Sequence, residues 1–339
     1  MQMGDKIDFV VLWVDGLDAK WQREKKQYKP EYQSNGNSEN RYRDWGLMKY
    51  WFRGIEKYAS WVNKIFFVTN GQIPSWLNTK HPKLRLVEHK DYIPEKYLPT
   101  FNSNVIELWL HRIPDLSEHF VLFNDDMFLI NKVTPREFFK NGYPCDAALM
   151  DIATAPNPED CLPHILVNNF SIINKHFSKK QVLKENRNKF FTSKYGKDIL
   201  RNILLFPFRD FSCFRDLHLA SSHLKSTFVH IWEEEGELLE QCANQRFRSK
   251  SDFSHWLMKC WHICEGRFEV RSTKWGHHFE LWEDEIEEIC RCIEQHKYQM
   301  ICLNDSKADI AFEKTKERLI KSFETIFSEK SEYENIERK

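Results

Sequence analysis

A chain of 339 residues is long enough to bury a sizeable core, as one large α/β domain or as a domain with a helical elaboration. Its 50 Lys/Arg and 50 Asp/Glu cancel, which excludes a broad electrostatic attraction to nucleic acid or to an anionic membrane and leaves only local basic surfaces. Aromatic residues reach 14%, with 26 Phe and 12 Trp; most are expected in the core and a minority as platforms for sugar rings.

No apolar run approaches the ~20 residues needed to span a bilayer. The start, Met1-Gln2-Met3-Gly4-Asp5-Lys6, lacks the regions of a signal peptide. The expectation is a cytoplasmic protein able to dock peripherally on a membrane assembly. The nine cysteines are then read as reduced. Cys260/Cys264, Cys290/Cys292, His262, His277 and His278 match no zinc-finger or ribbon spacing, so reduced cysteines in helices are expected.

In chain order, Ile7 to Val14 is a short apolar, β-rich run closed by Asp15-Gly16, a buried strand opening into a turn. Tyr32 to Asn40 is polar and reads as a loop. A helix is predicted from Asp44, as N-cap, to Ser60, with Leu47, Trp51, Ile55 and Tyr58 on one face. Ile65–Thr69 is a second strand closed by Asn70-Gly71, and Leu84–Val87 a third. Ser103 caps a helix that ends near Pro114. Phe120–Phe123 is a fourth strand, running into Asn124-Asp125-Asp126. Strands alternating with helices of this length predict an α/β fold with a mostly parallel sheet covered on both faces. Such sheets collect ligands beyond the carboxyl ends of their strands, where Asp15-Gly16, Asn70-Gly71 and Asn124-Asp125-Asp126 all fall.

Beyond residue 150 the pattern turns helical, with helices at Ser178–Phe190, Phe228–Asn244, Ser251–Cys264 and Leu281–His296. Ile301 to Asp305 reads as a late strand and Lys307 to Phe327 as a final amphipathic helix. No repeat or linker divides the chain. A single unit, 1–334, is expected: an α/β core over 1–150, a mainly helical elaboration over 151–300, a late strand and helix over 301–334, and a tail.

Two adjacent carboxylates ending a buried strand are costly unless a cation is near. Magnesium fits, because it takes oxygen ligands and bridges carboxylates to phosphates. The plainer reading of Asn124-Asp125-Asp126 is a capped turn. Asp8, inside an apolar strand, is equally well read as a solvated strand start. His218 and Arg248 are anonymous by themselves, and Arg246-Phe247-Arg248 followed by Asp252 also suits a helix cap.

These residues resemble the Stealth family, bacterial capsular-polysaccharide sugar-1-phosphate transferases with a eukaryotic relative, the GlcNAc-1-phosphotransferase. The resemblance rests on Ile7 to Gly16; on Arg43-Asp44, Ser60 to Ile65, Val68 to Asn78, Leu98 to Ser103 and Asn124-Asp125-Asp126; on Asp216 to Leu219, Leu224 to Phe228 and Arg246 to Ser249; and on Ile301 to Ser306, Phe323 to Phe327 and Glu329 to Ser331. Leu12 and Leu219 depart from the family pattern, which commonly has threonine and proline there.

The resemblance implies a Rossmann-like, GT-A-like core with a helical C-terminal elaboration. It implies transfer of a sugar 1-phosphate from a nucleoside-diphosphate sugar, most often UDP-linked, to a glycan hydroxyl, with release of the nucleoside monophosphate. Such a reaction needs diphosphate charge neutralised, an acceptor oxygen in line and a proton removed. Asp8, Asp125 and Asn304 match positions that would hold metal (Mg2+ or Mn2+) and donor, with Asp126 and Asp305 in support and Asp126 within reach of the ion. Asp15, Gly16, Asn70, Gly71 and Asn102 complete the donor side. Arg248 suits the transferring phosphate, and His218 is the candidate base. The competing readings are a metal-dependent glycosyltransferase releasing a nucleoside diphosphate and a non-catalytic polysaccharide-binding protein.

Overall fold

Alternate residues of the first strand enter two different cores. The computed structural model describes residues 6–29, 42–305 and 311–335. In it β1 (Ile7–Leu12), β2 (Ile65–Thr69), β3 (Leu84–Glu88) and β4 (His119–Phe123) run parallel, and Ser221–Leu224 adds an antiparallel edge. The spatial order is Ser221–Leu224, β4, β1, β2, β3. Phe9, Val11, Phe67, Val121 and Phe123 point into one core, while Val10, Phe66, Val68, Phe120 and Leu122 point into the other. Because successive strand residues face opposite sides, a near-continuous apolar run is what a strand buried on both faces requires.

Helices cover both faces, as the alternation predicted. After α1 (Ala19–Tyr28), α2 (Met48–Tyr58) packs Tyr50, Trp51, Phe52 and Ile55 into the first core. The other face carries α3 (Ser103–Leu108), α4 (Cys161–His176), α5 (Lys179–Glu185), α6 (Arg187–Phe190), α7 (Ile199–Leu205), α8 (Lys225–Ala243) and α9 (Trp256–Glu265). Of these, α3, α4, α5, α6, α8 and α9 place buried apolar side chains in the second core. Returning to the first face, α10 (Ile286–Glu294) and α11 (Phe312–Ile326) join α2, with Phe323 stacked on Tyr50 at 5.5 Å. A buried ion pair closes that side: Arg53 donates to both oxygens of Glu334 at 2.6 and 2.7 Å and to the Phe327 carbonyl at 2.8 Å.

Several boundaries differ from the sequence expectation for local reasons. Asp44 is not the cap of α2. Gly46 takes a φ of +68°, so the helix starts only at Met48, and the Asp44 carboxylate accepts from the Gly46 amide instead. Asn102, not Ser103, caps α3, its side chain accepting from the Asn104 amide at 3.1 Å. The predicted helix over Ser178–Phe190 is two helices broken at Asn186. The expectation of a mainly helical elaboration over 151–300 did not foresee the strands Ser221–Leu224 and Gly276–Glu280. Gly276–Glu280 pairs parallel with Met300–Asn304, which pairs antiparallel with β5 (Met127–Leu129). The predicted loop Tyr32–Asn40 and the predicted helix start at Lys307 lie outside the described residues.

Candidate active site

The strand order reverses at β1: β2 and β3 lie on one side of it and β4 on the other. Ligands of open α/β sheets settle in the crevice beyond the carboxyl ends of the strands at such a reversal. A cleft of about 720 Å³ opens there. Its wall takes Trp13 and Val14 from beyond β1, Asn70 from beyond β2 and Asn124, Asp125 and Asp126 from beyond β4. Asn304 and Asp305 enter from the end of the strand beside β5, and His218 and Arg248 from the second half of the chain.

One wall is acidic. Asp125 is open to the cleft but crowded by protein behind it, and its carboxyl is pushed up to about 8, first by lost solvation and then by the Asp126 and Asp44 carboxylates. Burial also raises Asp44 above its ordinary value, with Asp15 adding to the effect and Lys316 and the Gly46 amide opposing it. Asp126 Oδ1 is buried and has no hydrogen-bond partner. Among the described residues these three carboxylates do not converge to within 4.8 Å of one another, but Asp125 and Asp126, with one orphaned oxygen, offer the oxygen donors that magnesium or manganese takes. Asn304 donates through Nδ2 to both oxygens of Glu280 at 2.9 and 3.0 Å, which leaves its amide oxygen as the atom it offers to a cation. Asp305 is held by Arg43, at 3.0 and 2.9 Å, and by the Trp45 indole at 3.1 Å.

The opposite wall is cationic and built on a relay. Buried Lys259 donates to Asp216 at 2.9 Å and lies 3.5 Å from Asp146. Asp216 Oδ2 faces His218 Nδ1 at 3.3 Å. Burial pushes Asp216 up, but Lys259 and His218 pull harder, so its carboxyl sits well below the usual range and stays ionised. An ionised carboxylate only accepts, so Nδ1 of His218 carries the proton and Nε2 is the atom free for chemistry. Burial lowers the His218 pKa, whereas the Asp216 hydrogen bond and charge, then Asp126 and Glu280, raise it; the net shift is upward. Arg248 donates to Ser103 Oγ at 2.6 Å, at the mouth of α3.

Not every residue singled out in the sequence reaches the cleft. Asp8 is at the wrong end of β1. It pairs with Phe120, near the start of β4, and its carboxylate accepts from Asn63 Nδ2, the Lys64 amide and the Ser117 amide at 2.6, 3.1 and 2.8 Å. A fully buried carboxylate satisfied three times over ties strand starts together, so its assignment to metal or catalysis is corrected. Asn102 is likewise behind the wall: Nδ2 donates to Asp252 at 2.8 Å and to the carbonyls of Gln245 and Phe247 at 3.3 Å. It docks the 245–252 loop that carries Arg248, and so positions rather than binds.

Gly16 acts by its lack of a side chain, since a Cβ there would meet the Tyr42 carbonyl oxygen at 1.9 Å. That close approach lets Tyr42, Arg43 and Asp44 line the cleft. Asp15 is braced by Gln72, whose side chain accepts from its amide at 2.9 Å and donates to its carbonyl at 3.0 Å. Gly71 turns the chain at φ +82°, and Asn70 donates to Glu24 at 3.2 Å.

Sequence reasoning missed Asp216 and Lys259 as a unit, along with Glu107 and His255, which line the cleft and meet at 2.7 Å. No local pattern marks these pairs, because their partners are up to 148 residues apart. It also missed that His218, His278 and Cys302 bring ligand atoms within 4.8 Å of one another. Burial, ahead of the Asp126 charge, holds the Cys302 thiol well above its ordinary value, so without a metal it is protonated.

The geometry is that of an α/β fold whose cleft sets the Asp125 and Asp126 carboxylates opposite His218 and Arg248. Two family models match: Stealth protein conserved region 1 over residues 5–33 and conserved region 2 over residues 41–146. The chain is 44% identical over 336 residues to the capsular polysaccharide phosphotransferase WcwK of Streptococcus pneumoniae, covering 98% of this chain and 99% of that protein. It is 42% identical to the receptor polysaccharide phosphotransferase WefC of Streptococcus gordonii, over 98% of this chain and all of the relative. Among solved structures, the galactosyltransferase LgtC in complex with donor and acceptor sugar analogues covers 93% of this chain and 95% of that one, at 9% identity and a TM-score of 0.39. The chain is a transferase. It belongs to the Stealth family.

Proposed function

We propose that the chain transfers a sugar 1-phosphate from a nucleoside-diphosphate sugar to a hydroxyl of a glycan acceptor, in the synthesis of a capsular or other cell-surface polysaccharide, and releases the nucleoside monophosphate. The observation that carries this reading is the single cleft in which Asp125 and Asp126 face His218 and Arg248, in a chain 44% identical along nearly its whole length to a capsular polysaccharide phosphotransferase.

Asp125, Asp126 and the Asn304 oxygen are the residues that would hold a divalent cation. When bound, such an ion neutralises diphosphate charge. The chain's own groups do the rest. Arg248 pairs with oxygens of the phosphoryl group in flight; a guanidinium suits this because it can make two parallel hydrogen bonds. His218 Nε2 takes the proton of the acceptor hydroxyl, and Asp216 stabilises the imidazolium that results. A raised pKa makes His218 the stronger base, at the cost of moving its neutral form to higher pH. The new bond joins the acceptor oxygen to the phosphorus nearest the sugar, and the phosphoanhydride bond breaks. Donor anomeric configuration is retained because the anomeric carbon is not attacked.

Incubation of the chain with a panel of nucleotide sugars and acceptor oligosaccharides, read by mass and phosphorus NMR, tests the reading. Nucleoside monophosphate and a phosphodiester product support it. Nucleoside diphosphate with a phosphorus-free product supports glycosyl transfer instead.

A further inference from the structure

The side of the molecule carrying α7 exposes apolar surface that the catalytic cleft does not use. Asn202 fixes which face of α7 turns inward. It is fully buried, accepts from the Met150 amide at 2.6 Å and donates to the carbonyls of Ala148 and Phe190 at 2.8 and 2.6 Å. Leu200, Ile203 and Leu204 follow helical spacing away from that anchor and are 56, 51 and 72% exposed. The turn after the helix continues the patch, with Phe206 and Phe208 57 and 61% exposed. Lys179 holds this turn through the carbonyls of Leu205 and Phe208, at 2.7 and 2.9 Å. Ile152, 53% exposed, shares with Phe208 a small hollow of about 250 Å³. Single exposed apolar residues need no explanation, but a contiguous group of this size does.

Charge decides what covers it. Residues 175–209 contain ten Lys/Arg and two Asp/Glu, in a chain whose formal net charge is zero. Lys180, Lys184, Arg187, Lys194, Lys197 and Arg209 are all exposed. A second copy of the same patch would bring like charges together. An anionic surface with an apolar interior answers both features at once, because lysine and arginine meet headgroups while leucine and phenylalanine enter the acyl boundary.

We propose that α7 and the Phe206–Phe208 turn form a docking surface for an anionic phospholipid bilayer. The chain continues from this turn through Cys213–Phe214 to Asp216 and His218, so the docked face is linked by a few residues to the cationic wall of the cleft. The proposal stands on the surface alone and is independent of which group the enzyme transfers.

Sedimentation of the full-length chain with phosphatidylcholine vesicles, with and without phosphatidylglycerol, tests it. Binding is expected only with phosphatidylglycerol present and falls as salt rises. Leu204→Ser/Phe206→Ser/Phe208→Ser lowers it at least about tenfold, and Lys197→Glu/Arg209→Glu weakens it roughly fivefold or more per residue. Both variants keep the wild-type melting curve, because the altered side chains are exposed. Equal binding to neutral vesicles, no vesicle binding, or wild-type binding by the triple variant would each overturn the proposal. So would a wild-type dimer that ignores vesicles and that the triple variant turns into monomer, which assigns the patch to a second copy.

Discussion

Asp216→Asn separates the relay from the groups around it. The substitution keeps shape but removes the carboxylate that Lys259 donates to at 2.9 Å and that orients His218. Breaking a buried ion pair costs about 3–5 kcal/mol. Asp146, at 3.5 Å, still faces Lys259, so a loss of about 2 kcal/mol is expected, with a fall of about 3 °C in melting temperature. Asp216 has a depressed pKa, so its contribution is complete above the ordinary carboxylate range and is lost only as pH falls through its lowered native value. The stability gap between wild type and variant is therefore flat around neutral pH and closes in strong acid.

Turnover falls further, by about 10²–10⁴ in kcat, because the imidazole loses both its tautomer and its counter-charge. The rising limb of kcat/KM against pH, set above the ordinary histidine value in the wild type, moves to lower pH. Denaturation curves and steady-state kinetics from the same preparations check both halves. Adding Lys259→Met leaves the buried Asp146 carboxylate without its cation, and is expected to restore neither stability nor turnover. Recovery of turnover in the double variant would refute the reasoning, since it would reduce Asp216 to a counter-ion for Lys259. So would an unmoved pH limb.

Magnesium or manganese at 100 times its dissociation constant is expected to stabilise the wild type by about 2.7 kcal/mol. Asp125→Asn or Asp126→Asn abolishes that shift in a thermal melt, and a shift of wild-type size in both variants excludes these carboxylates as ligands. His262 is buried and its pKa is lowered to about 3 by that burial, so the native state refuses a proton that the unfolded chain accepts near its ordinary value. Stability is then lost as pH falls below about 6.5, and His262→Phe flattens the slope by about 1.4 kcal/mol per pH unit in urea titrations. Gly16→Ala forces the Tyr42 backbone away and is expected to cost about 2 kcal/mol or more and to weaken donor binding. Calorimetry showing wild-type donor affinity would rule out the steric role.

The sheet was legible in the sequence because strands buried on both faces need near-continuous apolar runs, and Ile7 to Leu12, Ile65 to Thr69 and Phe120 to Phe123 supply them. The strand Gly276–Glu280 was not, since Gly-His-His-Phe-Glu has too few apolar positions to show a period, and its place is set by pairing with Met300–Asn304. Site residues divide in the same way. Asn124-Asp125-Asp126 could be located from its strand. Asp8 is kept through the family resemblance, although it stands near the start of its strand and the carboxyl-end rule places the ligand at the other end. The structure excludes it through its partners: the amides of Lys64 and Ser117 consume the Asp8 carboxylate, while Asp126 Oδ1 is left without a partner.

The Asp44, Asp125 and Asp126 carboxylates and the groups opposite them come from different halves of the chain, and this has a chemical consequence. The Asp44, Asp125 and Asp126 carboxylates repel one another until a cation arrives. The cations opposite them are each already engaged, Arg248 by Ser103 and Lys259 by Asp216 and Asp146. Within the protein the acidic wall is relieved only in part, by a proton on Asp125 and by Lys316 beside Asp44. A substrate that carries both a metal and phosphate oxygens satisfies the two walls together, with the metal against the carboxylates and the oxygens toward Arg248. A neutral glycan satisfies neither. Under the proposed function, that asymmetry leads us to expect the nucleotide-linked donor to bind before its acceptor, with the acceptor on the His218 side.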